Sequence, residues 1–159
     1  MSDATTALVE REISYQEERG KPMPSLNHGI VQMNLGAQFL KSRDYRVVSE
    51  VTLHLAGKDY TPDLAIFPQR ALDLAHDISK VSEPPLTVVE IFSPQQGYQE
   101  VMDKVDAYLA NGVKSVWIVS PPLATVSIRT SDGHQESFVS GLAKDPATGL
   151  TAELSAVFS

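Results

Sequence analysis

The segment that most limits how this chain can fold lies between residues 86 and 120. "LTVVEIF" is a near-continuous apolar run, the pattern of a central strand buried on both faces. A helix is expected next, over about residues 98 to 111, with Val101, Val105, Tyr108 and Leu109 on one face. It stops at Asn111-Gly112, a favourable C-terminal cap. "VKSVWIVSP" then supplies a second strand of the same central type. Strand, helix and strand in this order predict a parallel pair joined by a helical crossover.

The rest of the chain has to be arranged around that unit. Upstream, Ser25 or Asn27 can cap a helix in which Leu26, Ile30, Met33, Ala37 and Leu40 recur at spacings of 4, 3, 4 and 3. That row is the expected buried stripe. "YRVVSEVTLHLAG" alternates, placing Val47, Val51, Leu53 and Leu55 on one face and Glu50, Thr52 and His54 on the other. "GKD" is the expected turn into "YTPDLAIFP", giving a hairpin. Residues 69 to 85 are expected to form a loop with a short helix. "ATVSIRT" and "HQESFVS" flank "SDG", a second hairpin, and "LTAELSAVF" is expected as a short closing helix. The predicted order is α-β-β-β-α-β with an added C-terminal β-hairpin. This is an α/β (α+β) fold with a mixed central sheet. At 159 residues, the length of a single domain, residues 1–159 are expected to share one core.

Against this apolar background two carboxylates stand out. Asp63 follows Pro62 at the start of one predicted strand, and Glu90 lies inside another. A carboxylate buried without a partner is costly. Glu90 shares a strand face with Val88 and Phe92. Two carboxylates on neighbouring strands can converge on a hard cation such as Mg2+, which prefers oxygen ligands and keeps several waters. Such an ion can activate water and stabilise charge on a phosphate. Lys104 lies beside the buried stripe of the following helix and is the candidate catalytic cation. A second explanation fits its spacing equally: Glu100 and Lys104 form an i, i+4 pair in the favourable order, a solvent-side salt bridge.

Charge and composition exclude several classes. With no cysteine, disulfides and thiolate metal sites are ruled out, and a reducing cytoplasmic location is expected. No apolar stretch is long enough to cross a membrane, and the first twenty residues lack the pattern of a signal peptide. The formal net charge of −7 predicts weak binding to nucleic acid by the chain alone. Basic residues cluster only as Arg19 with Lys21, and as Lys41 with Arg43 and Arg46.

"TPDLAIFP", "LTVVEIFSP" and "EVMDKVDAYLANGVKSVWIVSP", together with "LNHGIVQMNLGAQFL", resemble the Uma-two family of restriction endonucleases. These belong to the PD-(D/E)XK nuclease superfamily, and the resemblance covers roughly residues 15 to 130. It implies a restriction-endonuclease-like core and a metal-dependent endonuclease acting on nucleic acid, with DNA the expected form. It makes Asp63 and Glu90 metal ligands for Mg2+ (or Mn2+), with the main-chain carbonyl of Ile91 as a third. It makes Lys104 the catalytic lysine. The superfamily's commonest form places that lysine two residues after the glutamate, where this chain has Phe92; in this family the following helix supplies it. A glutamate from the first helical region often joins such sites, and Glu18 is the candidate.

Other residues carry weaker signals. His28 can reach the mouth of the site, or can be a polar first-turn residue. His54, His76 and His134 have no metal-ligand spacing. Ser93 suits a turn cap rather than a nucleophile, and Tyr108 and Trp117 suit the core. The alternative function is a non-catalytic nuclease-fold module for binding or dimerisation. The acidic balance favours it, or else a nuclease completed by a basic partner or a homodimeric groove.

Overall fold

The computed structural model describes residues 23–159. Within them the chain forms α1 (Leu26–Phe39), β1 (Tyr45–Ser49), β2 (Thr52–Leu55), β3 (Lys58–Tyr60) and β4 (Leu64–Pro68). It continues with β5 (Lys80–Val81), β6 (Thr87–Ile91), α2 (Tyr98–Ala110), β7 (Ser115–Ser120), β8 (Thr125–Thr130) and β9 (Gln135–Phe138). It closes with β10 (Leu142–Lys144), β11 (Thr151–Glu153) and α3 (Leu154–Val157).

β6 and β7 pair in parallel, from Thr87 opposite Ser115 to Ile91 opposite Val119, with α2 as the crossover. Around this pair the central sheet runs β1-β4-β6-β7-β8-β9, and its other pairings are antiparallel. The mixed sheet and the α-β-β-β-α-β order agree with the sequence reading, and β8 and β9 form the expected hairpin.

Both sheet faces are covered because side chains alternate across it. Leu64, Ile66, Val89, Ile91, Trp117 and Val119 face α1, α3 and the β10–β11 hairpin. Trp117 meets Phe39 edge to face at 4.9 Å. On the opposite side Ala65, Phe67, Val88 and Val116 face Val101, Val105 and Tyr108 of α2 and Leu53 and Leu55 of β2.

Four expectations are corrected. The buried stripe of α1 is Val31, Leu35 and Phe39, joined by His28, whereas Leu26, Ile30, Met33, Ala37 and Leu40 face outward. Both rows have helical spacing, so periodicity alone does not choose between them. The long alternating strand breaks at Glu50, whose φ of 50° is left-handed. Beyond the break the alternation inverts: Val47 packs with the α1 side, while Val51, Leu53 and Leu55 pack with the α2 side. β1 therefore pairs with β4, and β2 pairs with β3 across Ala56-Gly57 rather than "GKD". Both turn residues have positive φ, as a tight two-residue hairpin requires. Residues 69 to 85 contain no helix; β5 there adds a parallel strand to β2. The tail "LTAELSAVF" is half strand and half helix, because β11 pairs with β10.

Candidate active site

The β4–β6 register sets Leu64 opposite Val89. Continued by one residue, it brings Asp63 opposite Glu90, at the end of the sheet where β6 finishes. Asp63 sits on a bend just before β4, and its main chain is held from three sides. Its N–H donates to the Val89 carbonyl at 3.0 Å. Its carbonyl accepts from the Glu50 N–H at 3.1 Å and from Gln32 Nε2 at 3.0 Å. The left-handed turn at Glu50, which breaks the long strand, thus also clamps Asp63.

The Asp63 carboxylate is fully buried. Oδ2 accepts the Ile91 N–H at 2.7 Å, and Oδ1 lies 3.1 Å from His28 Nε2. An ionised carboxylate only accepts, so that nitrogen carries the proton. His28 and Gln32 are one helical turn apart on α1 and grip the same residue, one through its carboxylate and one through its carbonyl. The Ser25 hydroxyl caps this helix by accepting the His28 N–H at 3.2 Å.

Glu90 projects to the α2 side of the sheet, two residues beyond Val88. Tyr108 of α2 donates its hydroxyl to Glu90 Oε1 at 2.7 Å, and both residues are buried. The phenol is pushed well above its usual range, first by burial, then by the Glu90 charge and its hydrogen bond, then by the Asp63 charge. One hydroxyl therefore senses both carboxylates. Tyr60 of β3 packs on the Tyr108 ring with centroids 5.4 Å apart.

Lys104 precedes Tyr108 by four residues, so the two side chains leave α2 on the same face. Lys104 is half-buried while Glu100 is exposed. Lys104 is thus placed one turn before the tyrosine that bonds Glu90.

The donor chemistry fits a hard divalent cation. Among the described residues, no three His, Asp or Glu side chains are grouped to hold a metal ion. Two carboxylates supplemented by water, with the Ile91 main-chain carbonyl that the resemblance implies as a third ligand, would form the sparse oxygen set that suits Mg2+. The other ring nitrogen of His28, Nδ1, is buried with no hydrogen-bond partner among the described residues, and buried polar atoms ordinarily have one.

The sequence reading brought Asp63, Glu90 and His28 into view, and the fold gathers these three. Glu18 and the Arg19–Lys21 cluster lie outside the described residues. Lys41, with its neighbours Arg43 and Arg46, follows the C-terminal end of α1, about 20 Å along the helix axis from His28 at 1.5 Å per residue. His54, His76 and His134 instead make exposed pairs with Asp59, Asp73 and Glu136. Ser93 caps a turn, its hydroxyl accepting the Gln95 N–H at 3.4 Å. Trp117 is core, as expected. Tyr108 is core as well, but its hydroxyl belongs to the site. The sequence reading gives Tyr108 only as core and does not name Gln32; the i, i+4 spacings of Tyr108 from Lys104 and of Gln32 from His28 are the available signals.

Comparison with known proteins gives the family and the fold. The family model described as "Uma2: Putative restriction endonuclease" matches residues 10–155. Among solved structures, the chain is similar to one described as a "putative nuclease belonging to DUF820 from Anabaena variabilis ATCC 29413". The identity is 21%, over 86% of this chain and 83% of that one, with a TM-score of 0.72. At this identity the likeness concerns the fold. A search of curated proteins gives no match.

Proposed function

Because the chain belongs to the Uma2 "Putative restriction endonuclease" family, we propose that it is a nuclease that hydrolyses phosphodiester bonds, with DNA as its substrate and Mg2+ or Mn2+ as its cofactor. The observation that carries this reading is that the β4–β6 register sets Asp63, on the bend before β4, opposite Glu90 of β6, and that the Tyr108 hydroxyl bonded to Glu90 also feels the Asp63 charge. Asp63, Glu90 and the main-chain carbonyl of Ile91 would hold the cation. When bound, a divalent ion lowers the pKa of water and neutralises charge on phosphate.

The chain's own residues do the positioning. The Ile91 N–H and His28 fix the Asp63 carboxylate, and Gln32 and Glu50 fix its backbone. Tyr108 fixes Glu90. These contacts set the donors before substrate arrives, which limits reorganisation during the reaction. Lys104 brings a positive charge from α2 to the phosphate oxygens as they gain negative charge, or orients the attacking water.

The test is plasmid cleavage in Mg2+ or Mn2+ at low salt, since a chain at −7 binds a polyanion weakly. Lys104→Met should lower the rate by about a hundredfold or more and leave the melting temperature unchanged. Cleavage at the wild-type rate would return Lys104 to the helix-surface pair with Glu100.

A further inference from the structure

The outer face of α1 remains unexplained by the core and by the site. Leu26, Ile30, Met33 and Leu40 are 79%, 45%, 75% and 62% exposed. Ala37, on the same row, is exposed too. Their 4-3-4-3 spacing averages 3.5 residues, the repeat by which one helix seams against another. We propose that this face is where two copies of the chain associate, through antiparallel pairing of their α1 helices.

Charge selects the occupant. Residues 23 to 40 contain no Asp, Glu, Lys or Arg, in a chain whose net charge is −7. Two such molecules repel through most surfaces, and this helix is a neutral strip on which they can meet. A polyanion finds no lysine or arginine along the strip to release its counterions, since the nearest described ones, Lys41 and Arg43, lie past its end. An interfacial membrane helix carries basic residues along its polar face, whereas residues 23 to 40 carry none and Lys41 and Arg43 lie past the helix end. The strip is also self-complementary. Met33 lies at its centre, so a two-fold axis there sets Met33 against Met33 and Leu26 near Leu40. Methionine adapts to its own copy, and Gly29 and Ala37 beside it let the helices approach.

A 14-residue helix is about 21 Å long, and one such pair buries less than a standard stable interface. The dimer is therefore weak and depends on concentration. The same helix holds Asp63 through His28 and Gln32 from its inner side, so pairing braces the element that positions the site.

Sedimentation velocity on the full chain over a wide concentration series tests this. The wild type should move from monomer to dimer. Met33→Glu, which sets two like charges across the axis, should stay monomeric with an unchanged melting temperature. The chain has no cysteine, so single cysteines report contacts cleanly. Leu26→Cys mixed with Leu40→Cys should cross-link under mild oxidation, whereas Leu26→Cys alone should not. A wild type monomeric throughout, or a Met33→Glu protein that dimerises equally well, would overturn the interface. Self-cross-linking of Leu26→Cys would overturn the antiparallel pairing.

Discussion

Tyr108 shows how one side chain serves both the core and a buried carboxylate. Its ring fills the space between α2 and the sheet, and its hydroxyl answers the buried Glu90. In sequence it lies on an apolar helical stripe, where a tyrosine is ordinarily core, so its second role shows only in its i, i+4 spacing from Lys104. Glu90 was legible for the opposite reason, since an ionisable group inside "LTVVEIF" demands a partner. Burial and the Glu90 charge hold the Tyr108 phenol protonated above its unfolded value of about 10. The folded state then binds more protons than the unfolded state once the pH passes about 10. The stability that Tyr108 contributes is complete below that pH and is lost as the pH rises toward the folded pKa. Tyr108→Phe should cost about 1–3 kcal/mol near neutrality, because Glu90 loses its donor. Urea denaturation at pH 8 and at pH 10.5 should show this difference narrowing. A constant difference would mean that the phenol titrates normally.

At the scale of elements, the strand–helix–strand unit could be read from sequence because both strands are too apolar to face water. The break at Glu50 could not, because a left-handed glutamate has no local signature and alternation looks continuous through it. The orientation of α1 was also hidden, since an outer row as apolar as the inner one gives periodicity two solutions. The β10–β11 hairpin was missed because its anchor is tertiary. Asp145, just past β10, is fully buried and accepts from Ser115 Oγ at 2.5 Å, from Trp117 Nε1 at 2.9 Å and from the Ala147 N–H at 2.8 Å. Ser115 in turn meets Thr87 at 2.6 Å, tying the hairpin to the starts of β6 and β7. Asp145→Ala strands several buried donors and should lower stability by at least about 2 kcal/mol. Cation affinity should be unchanged, because the site lies at the other ends of those strands. Urea denaturation and metal titration of the variant check both, and a stable variant would show that the hairpin is held by apolar packing alone.

For the molecule as a whole, the sheet brings together residues that are remote in sequence. Asp63, Glu90, Tyr108 and His28 come from a bend, a strand and two helices; the β4–β6 register sets Asp63 opposite Glu90, and the helices on the two faces bring His28 to the one and Tyr108 to the other. Among the described residues no helix is long and apolar enough to cross a membrane. The central claim is that Asp63 and Glu90 share a divalent cation. Isothermal calorimetry with Mn2+ on the wild type and on Glu90→Gln tests it most directly, since a carboxamide oxygen can still accept the Tyr108 hydroxyl and preserve the fold. The wild type should bind one ion with a saturable heat that is lost in Glu90→Gln, while the variant's metal-free melting temperature stays close to that of the wild type. Equal binding by the two proteins, or no binding by the wild type, would contradict the account.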